Sequence, residues 1–169
     1  IDRVESTKFL GVIINSGLTW NDHIKTVCKK VSRSIGILLR LKNNVDSNIL
    51  IMLYNTLILP YFSYCNIVWG TQSTDCLNKL FLKQKKSVRI LCRAKWNAHT
   101  EPLFGKLKLL TLDAINKLQV SCFMFKINRN LLPTFFQKLF IRNSEVHSYN
   151  SRQISKLHVK YCRINVRAY

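Results

Sequence analysis

Apolar and polar positions change rhythm along this chain. Residues 9–14, "FLGVII", are dominated by branched and aromatic side chains and predict a strand. "NSG" at Asn15–Gly17 is turn chemistry, because Asn and Gly accept positive φ cheaply. Thr19 or Asn21 is then placed to cap a helix, with Asp22 in its first turn. The spacing of Ile24, Val27, Cys28, Val31, Ile35, Leu38 and Leu39 predicts an amphipathic helix reaching about Lys42. Lys25, Lys29, Arg33 and Arg40 fall on its opposite side.

"NNVDS" at residues 43–47 reads as a loop whose Asp46 or Ser47 caps the next helix. From Ser47 to Thr74 there is no charged residue. That run is long enough to span a bilayer, yet it carries Asn48, Asn55, Pro60, Ser63 and Asn66 between basic amphipathic helices. The expectation is a central helix buried on all sides, kinked or ended by Pro60 and closed at Gly70. A third helix is predicted from Asp75 to about Arg93, burying Leu77, Leu80, Phe81, Gln84, Val88 and Leu91. Lys79, Lys83, Lys86, Arg89 and Arg93 take the far side. Thr100-Glu101-Pro102 starts a short helix to about Lys108, since Pro in a first turn loses no hydrogen bond. A longer helix over about Leu112–Asn128 would carry Leu118, Cys122, Phe123 and Met124 inward, and "NLLPTFFQKLF" suggests a last short one. Beyond Arg142 the pattern dissolves, with "HVKYCRINVRAY" a loop or weak strand. The predicted class is mainly α: a short N-terminal strand or hairpin, a bundle of about five helices, and an irregular basic tail.

Charge turns this outline toward a partner. The 169 residues hold 27 Lys and Arg against 8 Asp and Glu, a formal net charge of +19. Such a surfeit repels itself and expects a polyanion, nucleic acid before an acidic membrane surface. A solvated helix face normally mixes signs; these two basic faces contain no acid after Asp22 and Asp75 respectively. Phosphate contacts come from Lys and Arg and are largely sequence-independent. Tyr61, Phe62, Tyr64 and Trp69 could stack on bases, although their apolar neighbours favour core packing.

Reactive chemistry is thin. The carboxylates are too scattered to suggest a two-metal or acid–base pair, and no glycine-rich phosphate loop or Gly-x-Ser-x-Gly occurs. His23, His99, His147 and His158 are isolated and read as surface or capping residues. Cys28, Cys65, Cys76, Cys92, Cys122 and Cys162 lack zinc spacing and read as buried free thiols of a reducing compartment. The chain starts at Ile1 without a leader, so it is expected to be a piece of something longer or a processed product.

These residues carry a resemblance. "KFLGVIINSGLTWNDHI" (Lys8–Ile24), "LYNTLILPYFSYCNIVWG" (Leu53–Gly70), "QKKSVRIL" (Gln84–Leu91), "HTEPLFGKLKLLTL" (His99–Leu112) and "SYNSR" (Ser148–Arg152) resemble, in the family's order, the part of non-LTR, jockey-type retrotransposon reverse transcriptases downstream of the catalytic palm. The resemblance implies a primer-grip-like strand at Phe9, Leu10, Gly11 and Val12. It implies the end of the palm over 1–18, a thumb-like region over 19–95, a post-polymerase helical region over 96–142 and a basic tail over 143–169. The nucleic-acid-binding candidates are then Lys25, Lys29, Arg33, Arg40, Lys79, Lys83, Lys86, Arg89 and Arg93. The implied partners are an RNA/DNA template–primer and an upstream palm in the same parent chain, with no membrane. The implied setting is intracellular, nuclear when DNA is the target. The catalytic Phe/Tyr-Ala-Asp-Asp motif does not occur in the chain, so it is expected to bind but not polymerise. It holds no cofactor of its own; Mg2+ belongs to the parent polymerase. Cys65 stands where Gly is commoner in the family. The alternative is a stand-alone or domesticated nucleic-acid-binding module.

Overall fold

The computed structural model describes residues 4–71 and 74–158. It is mainly α with an N-terminal hairpin, and it divides into two compact units, one up to Val120 and one from Ser121.

In the first unit β1 (Ser6–Phe9) pairs antiparallel with β2 (Val12–Asn15), Phe9 facing Val12. The connection is therefore two residues long. Leu10 and Gly11 both take positive φ, 44° and 83°, the type I′ pattern whose twist suits a hairpin. The N-terminal strand or hairpin expected is thus a hairpin, and the strand placed over Phe9–Ile14 folds at Leu10–Gly11; an apolar residue in the turn hides that bend from a hydrophobicity reading. The positive φ expected within "NSG" falls instead on Leu18 and Trp20. Asn15 closes this loop, its Nδ2 donating to Thr19 Oγ1 at 2.6 Å and its Oδ1 accepting the Thr19 N–H at 2.9 Å. Neither Thr19 nor Asn21 is the cap: α1 (Asn21–Leu41) begins behind a left-handed Trp20 with no side-chain cap bond.

α1 buries Ile24, Val27, Val31, Ile35 and Leu38, while Cys28 is half-buried and Leu39 is exposed. The uncharged run is three helices, α2 (Ser47–Leu57), α3 (Leu59–Ser63) and α4 (Asn66–Trp69). Pro60 lacks a donor and sits in the first turn of α3, so the break falls at Ile58. Cys65 makes the second break with φ 51°, a conformation that favours glycine. The run is one-sided rather than buried all round. Leu50, Tyr54, Ile58, Phe62, Asn66 and Trp69 are fully buried, whereas Ile49, Met52, Ile67 and Val68 face out. Steps of about four residues keep one face inward even across the breaks. No helix among the described residues is long and apolar enough to cross a membrane.

α5 (Thr74–Leu91) packs along α1 and buries Leu80, Gln84, Ser87, Val88, Ile90 and Leu91, with Leu77 and Phe81 half-buried. Gln84 is the hub of this face. Its Nε2 donates to the Tyr54 hydroxyl at 3.1 Å and the Leu110 carbonyl at 2.9 Å, and its Oε1 accepts the Leu112 N–H at 2.8 Å. α6 (Glu101–Leu107) starts behind Thr100 as expected, and α7 spans Leu112–Asn128. The fully buried Asn66 donates to the Phe62 carbonyl at 2.9 Å, and Asn116 of α7 donates to Asn66 Oδ1 at 2.6 Å. Gly70 closes this cluster: a Cβ there would collide with the Asn116 amide and the Asn66 carbonyl.

The inward residues of α7 are Leu112, Ile115 and Ile127; Phe123 and Met124 are half-buried, and Leu118 and Cys122 are exposed. Two polar residues of α7 face the first unit's interior, Asn116 bonding Asn66 and Gln119 the Ser63 carbonyl, so apolar positions alone do not pick its inward face. In the second unit Phe123 meets Phe136 edge-on at 5.6 Å and Phe140 at 6.4 Å, beside α8 (Thr134–Leu139) and the short α9 (Asn143–Val146). Where the pattern dissolves, residues 141–158 fold back on themselves, with an Arg142–Leu157 bridge and the His158 N–H donating to the Ile141 carbonyl at 2.8 Å. Cys162 and residues 159–169 of the expected tail lie outside the described residues. Cys28, Cys65, Cys76 and Cys92 are free and half-buried, and Cys122 is free and exposed; full burial was expected.

Candidate nucleic-acid interface

Packing α1 against α5 brings two basic faces to one place. Lys25 and Lys29 from α1 meet Lys79, Lys83 and Lys86 from α5 around a groove of about 730 Å³. The two helices supply the pairs Lys25/Lys29 and Lys79/Lys83 one turn apart, so each presents a ladder of ammonium groups along its axis. Asn21, Ile24, Cys28, Cys76 and Leu82 complete the lining, and among the described residues no carboxylate belongs to it. Asp22 holds Lys25 in an exposed pair at 3.2 Å, an interaction of small worth. Cys28 adds no opposing charge. Burial pushes the Cys28 thiol up, more than Lys83 and Lys79 pull it down, so it stays neutral near pH 7, and Cys76 donates to Asn21 Oδ1 at 3.0 Å.

The other basic candidates divide. Arg33 and Arg40 are exposed on α1 but lie outside the groove lining. Arg89 donates through Nε to the Ala98 carbonyl at 2.9 Å, and Arg93 through a guanidinium nitrogen to the Val45 carbonyl at 2.8 Å. Both therefore tie loops to α5 and its C-terminal turn. Of the strand candidates, Phe9 and Leu10 are exposed, at 62% and 73%, while Val12 is buried.

The hairpin is held by residues that a linear reading passes over. The Tyr64 hydroxyl donates to the Leu10 carbonyl at 2.6 Å. The Ile13 N–H donates to His23 Nδ1 at 3.3 Å, and the His23 ring lies 5.7 Å from Trp69. His23 is thus a buried acceptor, not the expected surface or capping residue. Burial, with Lys30 nearby, pushes its pKa below the usual imidazole value, so it stays neutral. Among the aromatic candidates Phe62 and Trp69 are core, Tyr61 is half-buried and Tyr64 is exposed. The lysine pairs at i, i+4 on both helices are visible in the sequence; that α1 lies beside α5 is not. Among the described residues no three His, Cys, Asp or Glu side chains gather into a possible metal site.

A helical domain of this order, with its hairpin and basic groove, has its sequence relatives among the RNA-directed DNA polymerases of non-LTR mobile elements. The chain is similar to the RNA-directed DNA polymerase from mobile element jockey of Drosophila melanogaster, 27% identical over 119 residues, 68% of this chain and 13% of that protein. It is likewise similar to the Drosophila funebris protein of the same name, 28% identical over 112 residues, 64% of this chain and 12% of that one. The chain thus spans about an eighth of the length of the curated relatives it matches. No family model matches the chain, and no solved structure does.

Proposed function

We propose that the first unit is a template–primer grip in a retrotransposon polymerase, seating a nucleic-acid backbone in the α1–α5 groove. The observation that carries this reading is the convergence of Lys25, Lys29, Lys79, Lys83 and Lys86 on a groove that no carboxylate of the described residues lines. Five ammonium groups can neutralise up to about five phosphates, and each neutralised phosphate releases counterions. The hairpin tip at Phe9–Gly11 would hold the primer end, and α1 would run along the duplex behind it. Polymerisation would belong to an upstream palm that also carries the Mg2+, in a nuclear setting when DNA is the target. What supports the placement downstream of a palm is the order of the family-like stretches along the chain.

A second reading is favoured by one observation: the first unit closes its own core, from Ile24 through Ile115. A stand-alone binding module descended from such an element would have this property. The reading frame upstream of Ile1 decides between the two.

The binding itself is tested by fluorescence anisotropy of the full chain with an RNA/DNA hybrid across a salt series. The expected slope of log affinity against log salt is about −4, falling in magnitude by about two in the Lys83→Glu/Lys86→Glu variant. Affinity indifferent to salt, or untouched by that reversal, would sink the groove as the contact.

A further inference from the structure

A smaller cleft of about 310 Å³ lies against the hairpin turn, lined by Leu10, Gly11, His23, Lys30, Tyr61 and Tyr64 among others. Tyr64 is 53% exposed yet fixed. Its hydroxyl donates to the Leu10 carbonyl, and its own carbonyl accepts the Trp69 indole N–H at 2.9 Å. Gly11 sits beside the ring, where an added Cβ would be 3.7 Å from Tyr64 Cε1. A ring secured at the backbone and at its far end has little rotamer freedom left to lose, so it is preorganised for a planar partner. Lys30 supplies the charge. Its Nζ is 5.5 Å from the centre of the Tyr61 ring, a cation held at the cleft wall rather than swinging in solvent. Among the described residues no carboxylate belongs to the lining, and His23 is neutral there.

The turn beside the cleft is kept at a cost. Leu10 is an exposed, non-glycine residue with φ 44°, a conformation that persists only where surroundings over-determine it and that recurs at ligand clamps. The Tyr64 hydrogen bond is what holds it.

Resting on the nucleic-acid reading above, we propose that this cleft takes one unpaired nucleotide, its base stacked on Tyr64 and its phosphate paired with Lys30. The volume stands at the low end of small-ligand sites, about 300–1,000 Å³, which suits one base and not a base pair. Stacking of this kind tolerates any base, since each has a π-face. The site is therefore distinct from the groove, which reads the phosphates of a duplex.

The test uses the full chain and two probes: a blunt RNA/DNA hybrid, and the same hybrid with a single-stranded extension carrying 2-aminopurine. The extension should tighten binding about tenfold and its 2-aminopurine should be quenched. Tyr64→Leu should abolish both effects while lowering blunt-hybrid binding far less, through the loosened turn alone, and Tyr64→Phe, which keeps the ring but loses the bond to Leu10, should keep part of the gain. Lys30→Gln should weaken the extended probe severalfold more than the blunt one. An extension that adds nothing, or a Tyr64→Leu variant that lowers both probes alike, overturns the cleft proposal while the groove stands. Failure of the blunt hybrid to bind at all defeats the groove reading instead. Free adenosine monophosphate that binds as tightly as the extended strand would make this a free-nucleotide pocket and overturn the strand-end assignment.

Discussion

Polar groups are treated in opposite ways on the two sides of α5. On the buried side Gln84 spends both amide atoms on Tyr54, Leu110 and Leu112, and Asn66 and Asn116 pair with each other and with backbone. On the open side Lys79, Lys83 and Lys86 face Lys25 and Lys29, with no carboxylate of the described residues in the lining. The buried amides are neutral and satisfied because an orphaned buried polar group costs about 1–3 kcal/mol. The lysines are charged and crowded, which costs self-repulsion and returns nothing to the fold. The first arrangement is explained by stability alone. Under the proposed function the second serves a partner outside the chain, so the two should come apart under mutation.

The largest expected break is Gln84→Leu. It strands the Tyr54 hydroxyl, the Leu110 carbonyl and the Leu112 N–H together, so urea denaturation should report a loss of about 3 kcal/mol or more. The salt slope of hybrid binding by the remaining folded protein should not move. A loss below about 1 kcal/mol would mean that water replaces the amide easily and that the buried network is not what joins α5 to α2 and α7.

Lys83→Glu/Lys86→Glu should do the reverse. Two phosphate contacts become repulsions, and hybrid affinity at moderate salt should fall about a hundredfold, roughly 2.7 kcal/mol. Stability should change by no more than about 0.5 kcal/mol, as for other exposed substitutions. Arg89 and Arg93 are poor choices for this experiment, because each also holds a backbone carbonyl.

Gly70→Ala sharpens the buried side. The new methyl meets the Asn116 amide and the Asn66 backbone, neither a yielding neighbour, and overpacking of this kind costs about 1–3 kcal/mol. Thermal unfolding should show the loss, again without a change in salt slope. An unaltered midpoint would show that α4 and α7 can separate locally at no cost.

How far this contrast could be read beforehand depends on the range of each signal. α1, α5 and α6 were legible within a few residues because amphipathic spacing, Pro102 and the loop polar residues act locally. The bend at Leu10–Gly11 was not, since its first residue is a leucine held by Tyr64, fifty-four positions away. The inward face of α7 was hidden because it includes the polar Asn116 and Gln119. Of the site, the basic faces were plain in the sequence, but only the packing of α1 on α5 selects five lysines from the nine basic candidates. Arg89 and Arg93 share the lysine periodicity and differ in having a carbonyl within reach, a fact of loop placement that no helical wheel contains.

The gentlest perturbation of the buried side is a proton. His23 accepts the Ile13 N–H through Nδ1, which requires that nitrogen to be unprotonated, and burial together with Lys30 lowers its folded pKa below the ordinary value of 6.5. The unfolded chain therefore binds the proton more readily than the folded one. Its contribution to stability is complete above about pH 6.5 and is lost as the pH falls from there through the lowered folded value. Breaking that single hydrogen bond costs about 0.5–1.5 kcal/mol. It should loosen β2 from α1 while leaving the α1–α5 groove in place. Denaturation midpoints at pH 7.5 and pH 5 should thus differ more in the native chain than in His23→Asn, which does not titrate in this range. Amide exchange should accelerate at Ile13 before it does along α5. Equal pH dependence in the two proteins would assign the acid sensitivity to other groups and leave the hairpin anchored by Tyr64 alone.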